Sequence, residues 1–146
     1  MPEFSCDLSK DEIIDPTVID HIVSSKDYSG EEWLEKTKHK LFKEPQLKKY
    51  FIPVDFSYWN LELVTIVDPG TGIPKHTHTE PVYRYIMDGS FELNGEEFQA
   101  GEWIIVPANF AYNIKTKTGY KIISRYHEKC EECTWKRLAS LPLEKL

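Results

Sequence analysis

The sequence predicts an all-β sandwich or small barrel preceded by a helical N-terminal arm. From Tyr50 onward, short β-branched and aromatic runs are interrupted by turn residues at roughly eight- to twelve-residue intervals. Asn94-Gly95 stands between FEL and EEF, and this is the residue pair that best accepts positive φ in a two-residue hairpin turn. Ahead of Tyr50 the period of two is missing, and helix-start signals and alternating charges take its place. At 146 residues, 40% hydrophobic and 13% aromatic, the chain has the size and apolar content of one packed domain, which excludes wholesale disorder.

Residues 1 to 48 form the arm. Asp15 followed by Pro16 has the form of an N-cap with proline at the first helical position, and Val18, Ile19, Ile22 and Val23 fall on one helical stripe. A second start lies at Ser29, where Glu32 three residues on completes a capping box. Trp33, Leu34, Leu41 and Phe42 supply its apolar face before Pro45 stops the helix. Residues 9 to 44 are therefore expected to be mainly helical, docked on the β domain through that face.

Residues 49 to 128 form the β domain. FSYWNLELVTIV (56 to 67) reads as a strand with Trp59, Leu61 and Leu63 on one face, and DPGTG is a turn. PVYRYIM, FELNG, EEFQ, WIIV, FAYNIKT and YKIISRY follow as strands. In FAYNIKT, Phe110, Tyr112 and Ile114 share a face opposite Lys115, so Tyr112 points inward. In the last strand Ile122, Ser124 and Tyr126 face in, while Lys121, Ile123, Arg125 and His127 face water. Residues 129 to 146 are a C-terminal tail.

Eighteen Lys and Arg against 24 Asp and Glu leave a net charge of −6, which repels phosphate backbones, and no basic stripe interleaved with aromatics appears. Nucleic acid is not an expected partner. No apolar run approaches the roughly 18 residues of a spanning helix, and the first residues lack the order of a signal peptide, so neither membrane nor secretion is expected. The three cysteines do not describe a disulfide framework, and a cytoplasmic protein is expected. His127, Cys130 and Cys133 form a small cluster that could chelate zinc, with Cys6 as a fourth ligand if the arm returns, although the acidic neighbours Glu128, Glu131 and Glu132 oppose redox use of the thiols. His21 and His39 sit among charges and read as surface residues.

One constellation carries chemistry. His76 and His78 are one residue apart, and side chains at i and i+2 of a strand point to the same face, so two imidazoles can converge on one metal ion. Gly70 lies six positions before His76, Gly89 closes YIMDG, and Gly101-EWIIV-Pro107 follows after the hairpin. These positions resemble the cupin superfamily, with its first motif G-x5-H-x-H-x3,4-E-x6-G and its second G-x5-P-x-G-x2-H-x3-N, over residues 50 to 126. HTHTEPVYRYIMDG is most similar to small cupins related to 2,4′-dihydroxyacetophenone dioxygenase. The superfamily's glutamate position falls on Val82, its second-motif histidine on Tyr112 and its asparagine on Thr116.

The resemblance implies a jelly roll and a small-molecule enzyme that uses a mononuclear non-haem metal, iron first and Zn, Mn or Ni as alternatives, for dioxygenase chemistry on a hydroxylated carbonyl compound. His76 and His78 would hold the metal, completed by Tyr112 or Glu80. Glu80 would make a 2-His-1-carboxylate triad only if the strand bends after His78, since i to i+4 spans about 13 Å in a straight strand. Tyr112 would bind as phenolate, or act as a general acid. Tyr83, Arg84, Tyr85 and Trp103 are candidates for lining the substrate site. A metal-free isomerase, cyclase or lyase and a non-catalytic binding or sensor protein are the other readings. The expected partners are a small-molecule substrate and a second copy of the chain in a homodimer.

Overall fold

The computed structural model describes residues 5–41 and 44–127. Its elements are β1 (Val23–Ser24), α1 (Glu31–Thr37), β2 (Leu61–Val67), β3 (Gly72–His76), β4 (Val82–Leu93), β5 (Glu96–Gln99), β6 (Trp103–Val106), β7 (Tyr112–Lys115) and β8 (Tyr120–Tyr126). Single 3-10 turns lie at Lys10–Glu12, Ser25–Tyr28 and Phe56–Tyr58. The strand pairings are antiparallel, and the architecture is the expected all-β jelly roll.

Strand β4 belongs to two sheets. Its first half pairs with β6 and β8, giving the order β1-β6-β4-β8-β2, and its last residues pair with β5 and β7, giving β5-β4-β7-β3. PVYRYIM and FEL are thus one twelve-residue strand that bends between the sheets. The bend has two causes: a register shift between Ile86 and Asp88, and Gly89 at φ 76°. A Cβ at Gly89 would lie 2.1 Å from the Gly119 carbonyl oxygen, so only glycine lets the crossing strands approach this closely. The Asn94-Gly95 turn has φ of 49° and 85°, the double positive φ that the hairpin reading requires.

Ile86, Phe91, Leu93, Phe98, Ile104, Val106, Tyr112 and Ile114 fill the space between the sheets. Burial along β8 alternates from Tyr120 to Tyr126, with Ile122, Ser124 and Tyr126 inside, and the inward face of β7 carries Tyr112 and Ile114 as expected.

The arm departs from its expected form. Only α1, seven residues long, is α-helical among its described residues. Asp15 does not start a helix, because its carboxylate accepts from the backbone N–H of Thr17 at 2.9 Å in a local turn. Val23 and Ser24 instead pair with Ile105 and Ile104, so a sheet edge that needed hydrogen-bond partners won over the helical stripe. Gly30 rather than Ser29 precedes α1, since the Ser29 hydroxyl donates to the Lys26 carbonyl at 3.3 Å. Leu34 and Leu41 are exposed, and Phe42 lies outside the described residues. The arm docks through Ile14, Val23 and Tyr28, packed with Val54 and Trp59 against Tyr83, Trp103 and Ile105 on the outer face of the first sheet. The expected strand from 56 is also shorter: Asp55 caps a 3-10 turn through the Ser57 N–H, and β2 starts at Leu61. Trp59 is buried there, its indole N–H donating to the Pro81 carbonyl at 2.9 Å.

Candidate active site in the barrel cavity

Strand β3 ends at His76, so His78 stands on the loop that follows and not on the strand with it. A register shift before His76 and a 2.7 Å hydrogen bond from the Asn109 N–H to the His78 carbonyl fix that loop. The two rings meet nonetheless, with centroids 5.0 Å apart. Tyr112 completes the group. It is the direct β7 partner of His76, with rings 4.6 Å apart, and its ring lies 5.8 Å from that of His78.

The hydrogen bonds assign the protons. His76 Nδ1 lies 2.8 Å from the Pro74 carbonyl, which only accepts, so Nδ1 carries the hydrogen and Nε2 the lone pair. His78 Nε2 lies 2.8 Å from the Tyr112 hydroxyl. Arg84 lies over the same phenol, its guanidinium carbon 5.4 Å from the Tyr112 ring centroid. One hydrogen is shared between the Tyr112 oxygen and His78 Nε2. His76 is in the Nδ1–H tautomer, whose Nε2 is the nitrogen that can ligate a metal, and His78 directs its Nε2 at the phenol oxygen. Burial, then the nearby charges of Arg84 and His76, push the His78 pKa down to about 3, so it is neutral at pH 7.

A cavity of about 120 Å³ opens beside this group, between the two sheets. Its polar lining includes Thr65, His76, Arg84, Tyr112, Ser124 and the two tyrosines Tyr120 and Tyr126, and apolar residues of β2, β3, β7 and β8 make the walls. Tyr120 and Tyr126 escaped the sequence reading as site residues, although the period of two in YKIISRY put Ser124 and Tyr126 on the inner face. Burial pushes the Tyr120 hydroxyl up to about 12. Arg84 is buried, and its guanidinium stays protonated there.

Three of the expected lining residues are elsewhere. With Arg84 and Ile86 facing in, the period of two turns Tyr83 and Tyr85 outward, and Trp103, the β6 partner of Tyr85, goes with them into the cluster under the arm. Among the described residues no three His, Cys, Asp or Glu side chains are placed to hold one ion, so the expected metal triad of Glu80 with the two histidines is not formed. His127 lies on the outer face as expected, half-buried, with Nδ1 donating to the Tyr58 carbonyl at 2.7 Å and the ring stacked on Tyr58. His21 is exposed beside Asp20, whereas His39 is half-buried against Phe51. Cys130 and Cys133 lie outside the described residues.

No helix among the described residues is long and apolar enough to cross a membrane. No protein-family model and no curated protein matches the chain. Among solved structures, it is similar to an RmlC-like cupin from Shewanella frigidimarina, at 20% identity and a TM-score of 0.47, covering 54% of this chain and 75% of that one. A protein of unknown function with a cupin-like fold from Ralstonia eutropha matches at 20% identity and a TM-score of 0.43, over 46% of this chain and 49% of that one. A salicylate 1,2-dioxygenase from Pseudoaminobacter salicylatoxidans matches at 15% identity and a TM-score of 0.40, over 48% of this chain and 20% of its own length. The functional reading rests on this chain's own residues.

Proposed function

We propose that this chain is a small-molecule enzyme whose reaction site is the barrel cavity, with His76, His78 and Tyr112 holding one transition-metal ion, iron in the first place. The observation that carries this reading is the convergence of the three rings, with His76 in the Nδ1–H tautomer and His78 Nε2 2.8 Å from the Tyr112 oxygen. The donor set fits such an ion if Tyr112 gives up its proton, and the guanidinium of Arg84 over the Tyr112 ring favours the phenolate. When bound, the metal would supply a Lewis acid and a centre for dioxygen chemistry on a hydroxylated carbonyl compound.

The chain's own residues do the rest. Pro74 orients His76 through its carbonyl, Asn109 holds the His78 loop, and Arg84 stabilises negative charge at the Tyr112 oxygen. The apolar walls limit the water that reaches the reacting atoms. A second reading has its own observation. The 2.8 Å bond between neutral His78 and Tyr112 is the geometry of a base and an acid that exchange a proton, as a metal-free isomerase, cyclase or lyase requires.

Elemental analysis of protein purified without a histidine tag separates the readings. One transition-metal ion per chain, lost in His76→Ala and weakened in Tyr112→Phe, is the expected result. Full occupancy in the double variant His76→Ala, His78→Ala would move the metal elsewhere, to Cys130 and Cys133 first. Turnover by metal-free protein, abolished by Tyr112→Phe, would establish the acid–base reading instead.

A further inference from the structure

Arg84 is unusual for what it lacks. It is a fully buried cation that lines the cavity, and its Nε and Nη1 have no hydrogen-bond partner. None of the ion pairs among the described residues involves it. Its neighbours Tyr112, Tyr120 and Tyr126 are neutral as phenols, and among the described residues no carboxylate pairs with the charge. Directly across the β4–β8 pairing sits Ser124, whose buried hydroxyl is also unpartnered and also lines the cavity. Paired residues on adjacent strands project to the same face with Cβ atoms about 5 Å apart, so the orphan guanidinium nitrogens and the orphan hydroxyl face one space. A buried donor left unmade is expensive, and a buried charge left uncompensated more so, and nothing among the described residues completes them.

We propose that the cavity binds a small organic carboxylate, whose oxygens accept from Arg84 and from the Ser124 hydroxyl. The inference takes the cavity from the proposed function as the place where substrate sits, and it names the substrate class: an acid, not a neutral ketone or alcohol. Size narrows the class further. A dry cavity of about 150 Å³ holds benzene, so about 120 Å³ takes an acid of roughly half a dozen non-hydrogen atoms, such as a 2-oxo or 2-hydroxy acid of three or four carbons. The apolar walls from β2, β7 and β8 suit its carbon end, and His76 and Tyr112 lie on the same lining as the carboxylate subsite. Such a ligand would bring a negative charge to a site that holds a positive one, and so bind better than its neutral isostere.

The test uses the full chain after chelator treatment, titrated calorimetrically and by thermal shift with propionate, pyruvate and lactate, each against its neutral amide, and with chloride and phosphate. Carboxylates are expected to bind at least tenfold more tightly than the amides. Arg84→Met, which keeps the shape of the stem, should abolish that preference; Arg84→Lys should recover part of it; Ser124→Ala should weaken carboxylate binding several-fold. Circular dichroism of each variant reports that it is folded. Equal binding of acids and amides, no carboxylate binding by the parent chain, or a preference unchanged in folded Arg84→Met overturns the proposal. Chloride or phosphate competing as strongly as the acids would make this an inorganic-anion hole and overturn it as well. Metal retained by His76 and His78 while the carboxylate preference is absent rejects the anion site alone, and the reverse rejects the metal reading alone.

Discussion

Replacing Arg84 with methionine is expected to stabilise the ligand-free protein, although it removes a residue with a full complement of packed neighbours. Two guanidinium nitrogens lie buried with no acceptor, and each unmade donor costs about 1–3 kcal/mol. The uncompensated charge adds desolvation on top of that. Against it stands the interaction with the Tyr112 ring, worth about 1–2 kcal/mol. Methionine keeps the unbranched stem and most of the packing. The balance favours Arg84→Met by about 1–3 kcal/mol, which for a domain of this size raises the unfolding temperature by roughly 4–10 °C. Urea unfolding of parent and variant, with buffer anions kept to a minimum, reads the difference directly. A variant less stable than the parent by about 2 kcal/mol or more would mean that a resident group compensates Arg84, and the reasoning from an orphan cation would fail. With a bound carboxylate present the sign should reverse, because only the parent gains from it.

His78 sets a pH dependence. Its folded pKa, about 3, lies below the usual 6.5, so the unfolded chain takes up a proton first and stability falls as pH drops below about 6.5. In chelator-treated protein the parent should lose about 1.4 kcal/mol per pH unit more than His78→Gln between about pH 6 and 5, and parallel pH profiles would contradict this. Gly89→Ala is expected to destabilise by more than about 2 kcal/mol, since the new Cβ would meet the Gly119 carbonyl at 2.1 Å on a backbone with φ 76°. Chemical denaturation measures it, and a loss under about 1 kcal/mol would show that β4 can bend without glycine.

Much of the barrel was legible because its signals are local. Alternation in YKIISRY and FAYNIKT gave the inner faces of β8 and β7, and with them the inward Tyr112, and Asn94-Gly95 gave the hairpin. The arm was misread because its stripe of Val18, Ile19, Ile22 and Val23 satisfies a helical period while Val23 is committed by a contact more than eighty residues away in sequence, with Ile105. No window of the sequence contains that edge. The same long-range packing hid the orientation of PVYRYIM. A strand normally reveals its inner face by being apolar on one side only, but the arm covers the outer face of β4, so both sides are apolar and parity carries no sign. Once the arm is placed, Tyr83 and Tyr85 fall under it and Arg84 turns inward, opposite Ser124. Among the described residues Arg84 and Ser124 are inward side chains with unpartnered polar atoms where the strand pattern calls for apolar ones. Such breaks persist when function repays the stability they forgo, which is the ground for proposing a carboxylate subsite at Arg84, on the cavity lining it shares with His76 and Tyr112.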